Sequence, residues 1–169
     1  MLDSLTDTQI GDFVLHEMVE RRASMALYRA TQQTLKRFVL VKVIELKSLP
    51  LQKDALQLEF LDFTRRVVTL EFMHLQPIYD FGIIGDDYIY IAGRFMAGNL
   101  HELLASGMIP LDRALELTSQ IIRSVGFVHA QGLVHSSLSP RNVYIDEAHN
   151  CYINDLELSM IVQAARTTR

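Results

Sequence analysis

The chain has a single cysteine, Cys151, so an internal disulfide is excluded. Its setting, Asn-Cys-Tyr-Ile-Asn-Asp at 150–155, reads as a short buried strand with the thiol as a small core group in preference to a reactive one. The histidines at 16, 74, 101, 129, 135 and 149 show no paired metal spacing and no flanking cysteine or acid cluster, which argues against a structural metal. Lysine and arginine are scattered and the net charge is -4, so no basic stripe marks a nucleic-acid partner. The start, MLDSLTDTQIGD, carries acids where a targeting segment carries bases, and no run of about eighteen apolar residues occurs. A cytoplasmic chain without a membrane span is expected. Repeats, low-complexity tracts and Pro/Gly-rich linkers are also lacking, and the polar piece Gly93 to Asn99 is the one seam.

What is present is 169 residues, 49% of them hydrophobic, enough for one core or for two small lobes. From Phe13 to Ile44, β-branched and apolar runs (FVLHEMV, MALYRA, RFVLVKVI) alternate with polar breaks and predict three antiparallel strands. Leu51 to Leu70 has helical periodicity, with Leu56, Leu58, Phe60, Leu61, Phe63, Val67, Val68 and Leu70 as its apolar set. Two more strands, LQPIYDFGII and YIYIAG, flank the hairpin signal Gly85-Asp86-Asp87. Helices follow at Leu100 to Ser106 and Leu111 to Gln131, the second closed by Gly132, and LVH, NVYI and CYIN read as short strands.

That order, together with the stretches VLVKVI, LEFMHLQPIYDFG, MAGNLHELL and ALELTSQIIRSVGFVHAQGLVHSSLSPRNVYID, closely resembles the protein kinase family, nearest to the bacterial relatives of eukaryotic serine/threonine kinases. The resemblance implies an α+β fold. A five-stranded antiparallel N-lobe with one helix would cover residues 1–93, with 1–9 as an N-terminal extension. A partial, helical C-lobe would cover 94–169, the activation segment falling beyond Arg169. Asp80-Phe81-Gly82 spells the family's metal-binding motif but precedes the hinge and the catalytic loop; the matching position is Asp155-Leu156-Glu157.

Phosphoryl transfer needs backbone amides over the phosphates, a lysine on them, Mg²⁺ on an Asp and an Asn, and an Asp orienting the acceptor hydroxyl. By the resemblance, Lys42 is the phosphate lysine, Ala92 the gatekeeper, Arg94 part of the hinge, and Asn142 and Asp155 the metal ligands. The cofactor implied is ATP with Mg²⁺. The alternative for the last two is structural: Asn142 holding the loop through backbone hydrogen bonds and Asp155 capping a helix.

Departures accompany these matches. Glu20, Arg22 and Met25 stand where the phosphate-loop glycines fall, Arg22 being placed to compensate Glu20. Phe63 replaces the helix glutamate that orients the lysine, Ser137 the catalytic Asp and Ser139 the transition-state lysine, while His135, Pro140 and Asn142 keep the loop's frame. On these substitutions the expectation is a pseudokinase without enzyme activity, serving as a binding, scaffold or regulatory domain in signalling. The alternatives are an active kinase or other ATP-dependent transferase with an atypical site, or a fragment of a larger receptor-like kinase. A protein partner or a second copy is expected on the long helix, at Leu117, Ile121, Val125 and Val128, because its apolar surface is broad.

Overall fold

The computed structural model describes residues 2, 5–48, 53–159 and 161. The chain divides into two compact units, Met1–Val68 with Pro77–Phe95, and Thr69–Gln76 with Met96–Arg169.

The first unit is a six-stranded antiparallel sheet in the order β1-β2-β3-β4-β6-β5. Its strands are β1 Gln9–Ile10, β2 Phe13–Arg22, β3 Met25–Gln32, β4 Arg37–Glu45, β5 Ile78–Ile84 and β6 Tyr88–Arg94. Alternation decides the faces, because successive side chains leave opposite sides of a strand. Val39, Val41 and Val43 of β4 join Phe13, Leu15, Tyr28 and Ala92 in one core cluster. Leu40, Lys42 and Ile44 therefore share the other face, and they too are buried. Gly85, at φ +53, supplies the left-handed residue of the expected β5–β6 hairpin.

The segment before β2 is part of this unit. Ile10 and Leu2 belong to the core cluster, and the Tyr28 hydroxyl donates to the Leu2 carbonyl. The helix α1, Lys53–Val68, buries Phe60, Thr64 and Val67 at helical spacing, whereas Leu58 and Val68 of the expected apolar set are exposed. Leu51, at its expected start, lies outside the described residues, as does the side chain of Leu56.

The second unit is built on a small sheet, β7 Gly98–Asn99, β8 Val143–Ile145 and β9 Cys151–Ile153, with α2 Leu100–Ala105 and α3 Leu111–Ala130. Asn99 begins α2 with a capping box: its side chain accepts from Glu102 N–H at 3.0 Å, and Glu102 Oε2 accepts from Asn99 N–H at 3.1 Å. α3 buries Leu117, Gln120, Ser124 and Val128. Leu117 packs with Val143, Ile145 and Cys151, and Gln120 Oε1 accepts from Cys151 N–H at 2.8 Å.

Helix α3 ends where sequence places its end, Gly132 taking φ +71 and donating its N–H to the His129 carbonyl at 2.9 Å. Two expectations need correction. Leu133–His135 is not a strand: among the described residues no strand pairs with it, and Val134 is exposed. The expected strand from Leu75 starts only at Ile78, because the preceding piece runs with the second unit, where Ile153 N–H bonds the His74 carbonyl and Gln76 N–H bonds the Ile153 carbonyl. Phe72 stacks on Phe127 there, with ring centroids 4.7 Å apart.

The partner face drawn from sequence also changes. Leu117 and Val128 are core, and Ile121 packs against it. The large apolar residues that α3 exposes are Leu111, Leu115 at 60% and Ile122 at 64%.

Burial pushes the Cys151 thiol from its ordinary 9.0 up to about 11. At pH 8 the thiolate is therefore about a hundredfold scarcer than in an unperturbed thiol, and iodoacetamide labelling of the native chain should be slower than in urea by at least that factor. Between pH 9 and 11 the native state holds a proton that the unfolded chain gives up, so stability falls as pH rises through that window. Thermal melts at pH 8 and pH 11 check the sign.

Candidate functional site

In the first unit Lys42 is the distinctive group. It lies mid-strand at 3% exposure, paired across the sheet with Leu27 on β3 and Ile91 on β6, both buried. Leu40 and Ile44 flank it on the same strand face, so its neighbours along the strand are apolar. Ala92 is not beside it. Ala92 pairs with Val41 and belongs to the core cluster on the opposite face, and Gly93, paired with Leu40, is the β6 residue on the lysine's side. Arg94 closes β6 opposite Val39 and donates its backbone N–H to the Pro77 carbonyl at 3.1 Å.

The β2–β3 turn lacks glycine and is held by side chains instead. Arg22 Nε donates to Glu20 Oε1 at 2.9 Å and Nη2 to Oε2 at 3.2 Å, so the Glu20 carboxylate is compensated as expected. Arg21 Nη1 bonds the carbonyls of Ala23 and Met25. On α1, Phe63 is half-buried, and its neighbour Asp62 is engaged by Arg65 one turn on. Asp80, in the out-of-place Asp-Phe-Gly, accepts from the Tyr90 hydroxyl at 2.9 Å and from Phe81 N–H at 2.9 Å, a sheet role.

The second unit holds the loop from His135 to Asn142. His135 is buried and donates Nε2–H to the Asn154 carbonyl at 2.6 Å, the packed role sequence assigns it. Ser136 sits at φ +65. Ser137 is fixed at both ends of its peptide: its N–H bonds the His135 carbonyl at 2.8 Å, and its carbonyl accepts Asn142 Nδ2–H at 2.9 Å. Ser137 and Ser139 are both half-buried. Asn154 N–H bonds the Asn142 carbonyl at 2.9 Å, which ties the loop to the chain just before Asp155.

Asp155 is 3% exposed and left-handed, at φ +66 and ψ +16. A non-glycine residue there costs about 1–3 kcal/mol and marks functional sites more often than loops at large. It begins the short 3₁₀ turn Leu156–Leu158, but its side chain makes no capping bond, so the capping alternative lacks its hydrogen bond. Asn142 does hold the loop, through Nδ2. An amide oxygen and a carboxylate fit Mg²⁺, which takes oxygen ligands, usually one or two carboxylates, and keeps several waters. Among the described residues no group of three or more His, Cys, Asp or Glu side chains is placed to hold a metal. No helix among them is long and apolar enough to cross a membrane.

Comparison with known proteins decides the family. Residues 23–169 match the protein kinase domain. The chain belongs to the protein kinase domain family. The serine/threonine-protein kinase PknE of Mycobacterium tuberculosis is 27% identical over 171 residues, covering 99% of this chain and 29% of that protein. The serine/threonine-protein kinase pkn2 of Myxococcus xanthus is 29% identical over 122 residues, 72% of this chain and 14% of that protein. The chain thus spans less than a third of the length of these relatives. The solved structure titled PpkA-294 apo form superposes with a TM-score of 0.79 at 18% identity, over 99% of this chain and 67% of that one, and shows the same fold.

These findings overturn the expectation that the protein is not an enzyme: a kinase domain with serine/threonine kinase relatives points to one. The physical reason lies in what the serine substitutions remove. A general base contributes about 10²–10⁴ in rate, a finite factor, whereas positioning and electrostatics carry most of phosphoryl transfer.

Proposed function

We infer that the chain is the nucleotide-binding portion of a serine/threonine protein kinase whose catalytic loop works without a carboxylate. Lys42 would pair with the ATP phosphates, and Asn142 and Asp155 would hold Mg²⁺, which would supply charge neutralisation on the transferring phosphoryl group. Residues 1–93 form the N-lobe, apart from Thr69–Gln76, and 94–169 the C-lobe portion. Arg94 belongs to the hinge, and Gly93 takes the gatekeeper position in place of Ala92. The observation that carries this reading is the buried lysine: an ammonium at 3% exposure costs several kcal/mol of desolvation, and such charges are kept where they meet a ligand or partner charge.

The test is calorimetric titration of the intact chain with ATP, with and without Mg²⁺. Expected are Mg²⁺-dependent binding and at least about tenfold weaker binding for Lys42→Met and for Asp155→Asn, since each removes a charge-assisted contact. Binding that ignores both substitutions would sink the assignment. A regulatory or scaffold role is the second reading, favoured by Ser137 and Ser139 and served by a protein partner or a second copy on Leu111, Leu115 and Ile122 of α3. Nucleotide binding without phosphate release in the same samples would favour it.

A further inference from the structure

We propose that Ser24, in the turn between β2 and β3, is a phosphorylation site for an arginine-directed serine/threonine kinase, and that Arg21 clasps the phosphate once it is attached. Residues 21–24 read Arg-Arg-Ala-Ser, the one place in the chain where two adjacent arginines stand two and three residues before a serine or threonine. Guanidinium groups at that spacing suit a modifying enzyme that reads its substrate through carboxylates, because such bonds are charge-assisted and often bidentate.

The turn is built to receive the product. Arg22 and Met25 pair across it, with Ala23 and Ser24 between them. Arg21 Nη1 donates to the carbonyls of Ala23 at 3.1 Å and Met25 at 3.2 Å, so its guanidinium bridges the residues on either side of Ser24. The Ser24 hydroxyl makes no hydrogen bond among the described residues and is not one of their buried unpartnered atoms, which leaves it open to water. The pairing from Glu20 to Arg22 is all that joins β2 to β3 between this turn and the register shift before Glu20, so the tip can open to an enzyme without unravelling the sheet. In the transfer the Ser24 oxygen attacks the γ-phosphorus of ATP: the new O–P bond forms, the bond to the β–γ bridging oxygen breaks, ADP leaves and the hydroxyl proton passes to the enzyme's base. The product carries about -1.5 to -2 at neutral pH and three acceptor oxygens beside the Arg21 guanidinium. Its consequence for ATP rests on the nucleotide assignment above. The charge stands in the turn that takes the place of the glycine-rich phosphate loop, where it repels a triphosphate and switches nucleotide binding off.

The intact chain, incubated with Mg²⁺-ATP and an arginine-directed kinase, is expected to take up phosphate at Ser24, read by tandem mass spectrometry, and Arg22→Ala to slow the uptake about tenfold or more. Phosphoserine installed at position 24 by genetic encoding tests the clasp without any kinase. Its phosphorus NMR resonance should titrate below the ordinary phosphoserine value of about 6, and Arg21→Ala should return it there. The same phosphorylated chain should bind Mg²⁺-ATP at least about tenfold more weakly than the unmodified one. No uptake at Ser24 while a linear Arg-Arg-Ala-Ser peptide is modified, a phosphorus titration that ignores Arg21→Ala, or an ATP affinity that ignores the phosphate would each overturn the proposal. The nucleotide assignment fails separately, through an unmodified chain that does not bind ATP, and the uptake and phosphorus readouts then decide the site on their own.

Discussion

Ser137→Asp should raise ATP turnover by about 10²–10⁴, the factor a positioned general base contributes. The geometry favours recovery. Residue 137 is held by hydrogen bonds on both sides, from its N–H to the His135 carbonyl and from Asn142 Nδ2–H to its own carbonyl. Neither bond uses the side chain, so an aspartate inherits a fixed backbone direction. The position is half-buried, so the added carboxylate keeps contact with water and needs no buried counter-ion. Single-turnover release of labelled phosphate, with Lys42→Met as the blank, measures it. An unchanged rate would mean that the step is limited by lost charge stabilisation at Ser139 or by nucleotide binding, and the carboxylate-free loop would no longer be the reason for slow chemistry.

Phe13→Ala should destabilise the first unit by about 3–5 kcal/mol, a large share of the roughly 5–15 kcal/mol typical of a whole domain. Phe13 is fully buried in the core cluster, and its ring meets that of Tyr90 at 6.3 Å. Removing the ring leaves a cavity walled by β-strands that cannot collapse without breaking their ladders. The contrast is Phe38→Ala. Phe38 is 52% exposed and covered by the Arg29 guanidinium at 4.2 Å, so its loss should cost about 1 kcal/mol or less. Urea unfolding followed by far-ultraviolet circular dichroism separates the two.

The strands from Phe13 to Ile44 were legible because Val39, Val41 and Val43 alternate against one core, and the end of α3 because Gly132 carries its own conformational signature. Leu133–His135 misled because an apolar triplet looks the same whether or not a partner strand exists, and here its first N–H is already bonded to the Val128 carbonyl. The buried side of α3 was misassigned because polar Gln120 and Ser124 lie on it, each bonded to backbone, so hydrophobicity alone underweights that face. Of the proposed site, Lys42, Asn142 and Asp155 could be picked out in the sequence only by residue type and order. Two features could not. The side of the sheet taken by Ala92 depends on strand register, and the left-handed backbone of Asp155 has only a weak sequence signal, aspartate's modest tolerance of that region.

Asp80-Phe81-Gly82 has a second side. A Cβ at Gly82 would lie 2.9 Å from the Tyr90 ring, whose hydroxyl is moored to Asp80 and whose other neighbour is Phe13. One added methyl on this outer strand therefore acts as a wedge. It prises Tyr90 from its mooring or drives the ring inward on Phe13, so a motif that reads as misplaced catalytic lettering is a steric relay from the rim of the sheet to its centre.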